Sequence, residues 1–396
     1  MPKINWGDTD DAEEIEEFVE KSLKSRKSNK KDKRFTKNKA NDFISPIANW
    51  KDELNKEAFV GRVVEVHKRY SFISRQDKDG KVHTRDVWLA TVSRKHLTSK
   101  KGERNFVAVG DIVLCEPADE AQAGVQTDIP QCVIHQLAPR KSKIARIDPH
   151  RSDILHVIAS NIDQILIVSS YTKPSVKWGL IDRYLLLAHC EQIKPVIVLN
   201  KKDLLDELSP DLKEDHEHKR DYLRKIGYKV IESEAATDST EQPGYTELLS
   251  LLENSTSLFS GHSGVGKSSL VNLFGPEIEQ DVEENSDIFY KGRHTTSYAS
   301  FLRLSTVEGY IVDTPGIRSF CIPEPDIALL NEAFPDIGVF AKVCEFRTCR
   351  HIDEPDCGVK KAIVSGDLPE YRLRSFHGIL LGSSGREGRL RDLEIE

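Results

Sequence analysis

Residues 261–268 read GHSGVGKS and fit the pattern GxxxxGKS, which is typical of a phosphate-binding loop, or P-loop. Such a loop needs glycines because backbone N–H groups must approach phosphate oxygens closely, and the following helix adds its positive end. The flanking sequence fits, since residues 257–260 read as a strand and residues 268–274 as the start of a helix. This stretch therefore predicts an α/β domain that binds a nucleotide.

Two further motifs indicate which nucleotide is bound. Residues 200–203 read NKKD and match the guanine-reading pattern NKxD, in which the aspartate accepts hydrogen bonds from guanine N1–H and the exocyclic amine. Adenine lacks that pair of donors. Residues 313–316 read DTPG and match DxxG, the third GTPase element. Together the three motifs predict a GTP site.

The order of the motifs along the chain is unusual. An ordinary small GTPase carries P-loop, DxxG and NKxD in that order, whereas here NKxD comes first. The domain is therefore expected to be circularly permuted, so that the switch after Gly316 leads directly into a C-terminal domain. Near-continuous apolar runs at residues 164–168 and 195–199, separated by helical spacing at residues 180–188, predict the doubly wound sheet that such a site needs.

The candidate nucleotide-binding residues have distinct expected roles. Lys267 would neutralise phosphate charge, and Ser268 would bind Mg²⁺. Asn200 would brace the base and the P-loop, and Asp203 would select guanine. The predicted set comprises Asn200, Lys201, Lys202, Asp203, Gly261, His262, Ser263, Gly264, Val265, Gly266, Lys267, Ser268 and Ser269.

The catalytic residues are expected in the two switch segments. Asp313 would hold Mg²⁺ through water, and the Gly316 N–H would contact the γ-phosphate. Residues 292–296 (GRHTT) lie between the P-loop and DxxG, where switch I belongs. A threonine hydroxyl there would complete the Mg²⁺ shell, and we prefer Thr296 over Thr295.

The water-orienting residue differs from that of Ras-type enzymes. They carry Gln directly after DxxG, whereas this chain has Ile317. His294 is a candidate replacement, because imidazole can orient or deprotonate water near neutral pH. Alternatively, His294 only packs switch I and hydrolysis is slow until a partner helps. A further alternative is a nucleic-acid-binding module in which GTP is a structural or regulatory ligand.

A second candidate site lies near the C-terminus. Cys344, Cys349, His351 and Cys357 give the spacing C-x4-C-x-H-x5-C. Three thiolates and one imidazole suit a closed, tetrahedral zinc site with a structural role, because no coordination position is left for a substrate. The sequence therefore predicts one structural Zn²⁺.

Charge is distributed unevenly along the 396 residues. The net charge is −7, yet residues 1–20 are acidic and residues 21–150 are basic. A basic region on an acidic body favours a polyanionic partner such as nucleic acid, with a solvated surface as the alternative. No apolar run reaches the length of about 18 residues expected of a membrane helix. The odd number of cysteines, 7, fits a reducing compartment, and we expect a cytoplasmic protein.

The chain divides into four predicted regions, which make it a multidomain protein of α/β plus all-β class. Residues 1–50 are expected to be a disordered acidic and basic extension, acting as a nucleic-acid arm or a solubilising tail. Residues 51–145 carry short strand patterns, and an RNA-binding OB-fold is preferred over an SH3-like barrel. The GTPase domain is expected at residues 146–321 and the zinc-binding domain at residues 322–396.

The sequence also gives expectations for individual strands and aromatic residues of the barrel region. Residues 140–143 (RKSK) are expected to form a basic linker. The aromatic residues available for base stacking are Phe59, Tyr70, Phe72 and Trp88, most of which we expect in the core. Strands are expected at residues 58–66, 87–92 and 131–137, and residues 107–114 are expected to form a strand, a turn and a second strand.

These elements in this order resemble the bacterial ribosome small-subunit-dependent GTPase A family, a family of circularly permuted GTPases. The resemblance covers about residues 56–375. It also implies an N-terminal OB-fold, a C-terminal zinc domain, and GTP hydrolysis stimulated by the small ribosomal subunit during its late maturation. It rests on Gly110-Asp111, Pro139-Arg140-Lys141, residues 159–164 (ASNIDQ), residues 182–185 (DRYL), NKKD, residues 261–272 (GHSGVGKSSLVN), GRHTT, residues 313–320 (DTPGIRSF) and the Cys/His cluster.

The resemblance also implies partners and one departure. The implied partners are the small ribosomal subunit, its ribosomal RNA, and GTP or GDP, with no membrane, and we expect a monomer. The fifth GTPase element of the family has Ser-Ala near residues 234–235, where this chain has Glu234-Ala235. The backbone N–H there could still contact guanine, with altered affinity. A translation factor that delivers a ligand is a weaker alternative, because no delivery domain is visible.

Overall fold

The computed structural model describes residues 47–50, 57–67, 70–77, 79–92, 107–118, 129–148, 151–234, 242–275, 299–313 and 325–381. Most of the predicted extension lies outside these ranges, as do residues 292–296 of the expected switch I and residues 314–324. The described part of the extension, Ile47–Trp50, is a 3₁₀ helix. Trp50 is fully buried and packs with Leu114 and Ala138.

Five strands form a closed barrel in the N-terminal part of the protein. They are β1 (Phe59–Val66), β2 (Ser71–Gln76), β3 (Val82–Val92), β4 (Ile112–Ala118) and β5 (Gln131–Leu137). β1 closes the barrel by pairing antiparallel with both β2 and β4, while β3 and β5 are parallel. Alternating residues such as Val63, Ile73, Val113 and Ile134 fill its core. The OB-like barrel predicted from the strand patterns is thus confirmed.

The central domain is built on a mostly parallel sheet. Its strands are β8 (Gln164–Ser170), β9 (Lys194–Asn200), β10 (Lys229–Glu232), β11 (Thr256–Ser260), β12 (Ser300–Arg303) and β13 (Tyr310–Asp313). The order is β10-β9-β8-β11-β13-β12, with only β12 antiparallel to its neighbour β13. β9 ends at Asn200, β11 at Ser260 and β13 at Asp313, so all three carboxyl ends meet at one edge of the sheet.

Both faces of this sheet are covered, as expected of a doubly wound fold. The helices are α1 (Trp178–Cys190), α2 (Pro210–Lys225), α3 (Tyr245–Leu252) and α4 (Lys267–Leu273). Every residue of β8 is buried. Ile165 and Ile167 pack into one hydrophobic core and Leu166 and Val168 into another, because successive strand residues point to opposite faces.

The C-terminal helices form a separate small core, which we call the C-terminal module (residues 325–381). They are α5 (Ile327–Ala333), α6 (Pro335–Ala341), α7 (Gly358–Val364) and α8 (Glu370–Leu380). Phe334, Ile337 and Phe376 fill the core, together with Leu186 of α1. Among the described residues, no helix combines the length and apolar content needed to cross a membrane.

The barrel is fastened to the central domain at a cluster we call the barrel joint (Asp111, Arg140 and Ser160). Asp111 is fully buried and accepts hydrogen bonds from Arg140 Nε at 2.8 Å and from Ser160 Oγ at 2.6 Å. The segment predicted as a basic linker thus contributes Arg140 to a buried ion pair, and its last residue, Lys143, begins a strand. Two strands follow directly, β6 (Lys143–Asp148) and β7 (Arg151–Ser160), which form an antiparallel hairpin.

Candidate functional site

The P-loop connects β11 to α4, as its sequence predicts. Gly261 has φ 147° and Gly266 has φ 93°, conformations that L side chains rarely adopt. A Cβ atom on Gly261 would lie 1.9 Å from the Val168 carbonyl oxygen, and one on Gly266 would lie 2.2 Å from Asn200 Nδ2. Both glycines are therefore required for the backbone to pass between β8 and the NKxD loop.

The NKxD motif lies directly against the P-loop. Asn200 is buried, and its Nδ2 donates to the Val265 carbonyl oxygen at 2.9 Å. Lys201 Nζ donates to the Gly264 carbonyl oxygen at 2.7 Å. The structure thus joins two motifs that are about sixty residues apart in the sequence, in the arrangement that the permuted order of motifs requires.

Ser233 is a site residue that the sequence analysis did not identify. Its Oγ donates to Asn200 Oδ1 at 3.0 Å, and it is buried at the end of β10. The Lys202 N–H donates to the Ser233 carbonyl oxygen at 3.1 Å. Ser233 directly precedes Glu234, where the fifth GTPase element is expected, and this position could have identified it from the sequence.

Asp313, the one described residue of the third motif, lies at the same edge of the sheet as the P-loop. Lys267 Nζ donates to the carbonyl oxygens of Gly261 at 2.9 Å and His262 at 2.7 Å. Burial lowers the pKa of Lys267, and the nearby Asp313 carboxylate acts in the opposite direction. Asp313 thus lies within electrostatic reach of the P-loop lysine.

The remaining predicted residues are placed only in part. Asp203 is exposed in the first turn of the 3₁₀ helix Lys202–Glu207, and Ser268 and Ser269 are exposed in the first turn of α4. His294, Thr296 and Gly316 lie outside the described residues, and their roles stay predictions.

The cysteine and histidine cluster is a candidate metal centre. The ligand atoms of Cys344, Cys349, His351 and Cys357 lie within 4.8 Å of one another. Cys344 Sγ is 3.6 Å from His351 Nδ1 and 3.9 Å from Cys357 Sγ, and the latter is 3.4 Å from Nδ1. Tetrahedral zinc with ordinary bond lengths separates its ligands by about 3.5–3.8 Å. The residues present therefore fit a zinc ion.

The residues around the cluster favour metal binding by its histidine and cysteine side chains. Burial lowers the pKa of His351 to about 4, so the imidazole is neutral at physiological pH. Its Nε2 lies 3.4 Å from Asn331 Oδ1, a partner that would leave Nδ1 as the metal-binding nitrogen. Burial raises the pKa of Cys349 to about 12, a cost that a bound cation would remove by stabilising the thiolate.

Comparison with known proteins fits this geometry. The RsgA GTPase family model matches residues 137–323. A small ribosomal subunit biogenesis GTPase RsgA of Actinobacillus succinogenes is 35% identical over 274 residues, which cover 69% of this chain and 74% of the relative. The protein of the same name from Flavobacterium johnsoniae is 34% identical over 278 residues, covering 70% of this chain and 81% of the relative. The chain belongs to the RsgA GTPase family.

Solved structures agree on the architecture of this RsgA GTPase. YloQ, described as a circularly permuted GTPase, matches with a TM-score of 0.59 at 23% identity and covers 83% of this chain and 96% of its own. YjeQ from Thermotoga maritima matches with a TM-score of 0.59 at 26% identity, covering 83% of this chain and 100% of its own. The expected fold class is confirmed, and the protein is a GTP hydrolase.

Proposed function

We propose that this RsgA-family enzyme binds the small ribosomal subunit and assists its late maturation, hydrolysing GTP to GDP and phosphate with stimulation by the subunit. The observation that carries the proposal is the contact of Asn200 and Lys201 with the P-loop, at the edge where β13 delivers Asp313. The names of the two relatives above supply the ribosomal partner.

The site residues divide the chemistry of hydrolysis between them. Backbone N–H groups of residues 261–266 hold the phosphates, and Lys267 neutralises their charge. Ser268 and Thr296 are positioned by the motif pattern to bind Mg²⁺, which supplies charge neutralisation at the β- and γ-phosphates. Asp203 selects guanine, and Asn200, held by Ser233, fixes the base loop against the P-loop.

A residue other than Ile317 must position the attacking water, because the Ile317 side chain has no polar group. His294 in cis is the candidate from this chain, and the subunit can complete the site in trans. Stimulation by the subunit would then arise because the isolated enzyme lacks a fully ordered attacking water.

The two flanking regions provide the ribosomal contacts in this proposal. The OB-like barrel and the basic extension bind ribosomal RNA through phosphate contacts and stacking. Phe59 and Phe72 are buried, whereas Tyr70 is half-buried and stacks on His67 with 4.8 Å between ring centroids. Trp88 is also half-buried but packs against the barrel core, so Tyr70 is the better stacking candidate. The C-terminal module, stabilised by one structural Zn²⁺, docks on the subunit, and the protein acts as a cytoplasmic monomer.

GTP turnover with and without purified small subunits tests the function. We expect several-fold faster phosphate release with small subunits, no change with large subunits, and no turnover by Lys267→Ala in either case. Turnover unchanged by small subunits would remove the ribosomal role and favour a nucleic-acid-binding module with GTP as a regulatory ligand.

The base site has its own test. Asp203→Asn should weaken GDP binding and shift preference toward xanthosine diphosphate, because an amide cannot accept both guanine donors. Equal GDP affinity in wild type and variant would contradict the assignment of the guanine-binding loop.

A further inference from the structure

Helix α1 contacts the P-loop strand on one side. Tyr184 and Gly261 line the same small cleft. Burial raises the pKa of Tyr184, and the Ser260 side chain and the Gly261 backbone lie close enough to its hydroxyl to act in the opposite direction. Tyr184 is buried, so this contact is shielded from solvent. A displacement of α1 would therefore move the partner of the first P-loop glycine.

The opposite side of α1 is tied to the C-terminal module by a cluster we call the module joint (Asp182, Asp336 and Arg372). Arg372 of α8 donates from Nε to Asp336 Oδ2 at 2.7 Å and from Nη2 to Asp336 Oδ1 at 2.9 Å. Its Nη1 donates to Asp182 Oδ1 of α1. Asp182 and Tyr184 are two residues apart, or roughly 200° around the helix, so they project from opposite sides.

The module joint is buried and carries an excess of negative charge. Asp182 and Arg372 are 2% and 1% exposed. Two carboxylates share one guanidinium, which also lies over the Phe334 ring at 4.6 Å. The Tyr222 hydroxyl donates to Asp336 at 3.3 Å and supplies part of the missing compensation. Apolar residues of similar volume are often at least as stable at a buried ion cluster, so we infer that these charges set the register between α1 and the module.

We propose that Arg372 is a positioning residue through which the C-terminal module and the P-loop influence each other, with α1 as the connecting element. A partner that displaces the module would displace Asp182 and, with it, α1. The movement of α1 would then change the Tyr184 contact to Gly261. Only the identity of that partner, the small ribosomal subunit, rests on the proposed function. Coupling of this kind is reciprocal, so the bound nucleotide must also change the module.

The first experiment needs no ribosome. Amide hydrogen exchange of α6 and α8 is measured in the full-length protein with GDP and with a non-hydrolysable GTP analogue. We expect at least about a threefold rate difference between the two nucleotides in the wild type. The difference should vanish in the charge-neutral triple variant Asp182→Asn/Asp336→Asn/Arg372→Met and remain in Arg374→Gln, which changes an exposed arginine of the same helix.

Two outcomes would overturn the proposal. The first is a wild-type module whose amide exchange rates are equal with GDP and with the GTP analogue. The second is a triple variant in which the full difference in amide exchange rate remains. Tyr184→Phe provides a second test at the other end of α1, because it removes the hydroxyl contacts and leaves the module joint intact. It should also reduce the nucleotide dependence in α8, and full retention there would overturn the role of α1.

The second experiment measures turnover with small subunits. The triple variant should keep its basal rate, metal content and GDP affinity within about twofold, while most of the several-fold stimulation by small subunits is lost, a change within the range of typical allosteric coupling. Arg372→Lys should retain more stimulation than the triple variant does, because lysine keeps the positive charge but cannot form the bidentate contact with Asp336. Wild-type protein without stimulation would defeat the proposed function alone, and the exchange data would still decide the role of Arg372.

Discussion

The barrel joint and the module joint both centre on an arginine bonded to a buried aspartate, but their surroundings differ. At the barrel joint, backbone pairing also crosses the boundary, since Val109 pairs with Ala159 and β1 pairs with β12. At the module joint, the hydrogen bonds that we find crossing between described residues all involve a side chain, such as those of Tyr222, Tyr228 and Arg372.

This difference indicates which region can move. Backbone pairing fixes register and orientation together, so we expect the barrel to move less relative to the sheet than the module does. Side-chain contacts can exchange partners without breaking a ladder, so the module can shift as a unit on α1. The barrel is thus suited to holding the enzyme in place, and the module to reporting a contact.

Metal removal should produce the largest effect, and it should be confined to the module. In the proposed zinc-bound protein, chelation would leave the three thiols and His351 without their ion, and structural zinc sites supply folding free energy directly. We expect loss of amide protection across residues 325–381 while β1–β5 and β11 keep theirs, measured by hydrogen exchange. Cys344→Ser should reproduce the effect, and Cys190→Ser, outside the cluster, should not. Loss of protection in all regions would show that the module is not a separate unit.

Asp111→Ala should have the next largest effect, on global stability. It leaves Arg140 and the Ala108 N–H without their buried acceptor. Breaking a buried ion pair from one side costs about 3–5 kcal/mol, so urea denaturation should show a loss of that size in the free energy of unfolding. Glu116→Ala, which removes an exposed partner of His135, should cost at most about 1 kcal/mol. A similar loss of unfolding free energy in both variants would show that the buried barrel joint stabilises the protein no more than the Glu116–His135 pair does.

Substitutions at the module joint should separate charge from packing. Arg372→Met alone leaves two buried carboxylates uncompensated. The triple variant with Asp182→Asn and Asp336→Asn should recover about 3 kcal/mol of the unfolding free energy, because a neutral buried cluster avoids the desolvation of charges. Denaturant titration of both proteins measures the difference. A triple variant no more stable than Arg372→Met would mean that the charges themselves stabilise the fold.

Ser233→Ala should have the smallest effect and should leave both joints unchanged. It removes one buried hydrogen bond to Asn200, worth about 1 kcal/mol, so the Kd for GDP should rise about fivefold. Ser250→Ala, whose exposed hydroxyl bonds only within α3, serves as the matched control. An unchanged Kd for GDP would show that Asn200 is held by its contact with Val265 alone.

Local patterns were sufficient to predict the GTPase fold and the barrel. The P-loop glycines, the NKxD residues and the Cys/His spacing each specify chemistry within a few neighbouring residues. Buried strands such as β8 read as apolar runs because both faces are covered. Even the permuted order of the motifs was readable, since it needs only their positions along the chain.

The parts that were missed depend on partners distant in sequence. The basic run at residues 140–143 reads as a linker, and nothing nearby in the sequence indicates that Arg140 pairs with Asp111. α2 was not predicted because it is highly charged, with only His216 and Leu223 buried. Arg372 reads as an ordinary helix-surface arginine, since its partner Asp182 lies 190 residues away.

The position of β11 in the sheet has a mechanical consequence. The chain enters the parallel sheet at β8 and leaves it from β13, and these two strands are the immediate neighbours of β11. Tension applied between the two ends of the protein would therefore load the hydrogen bonds on both sides of the P-loop strand in shear. The permuted order has thus placed the strand that leads into the P-loop between the strand where the chain enters the parallel sheet and the strand where it leaves.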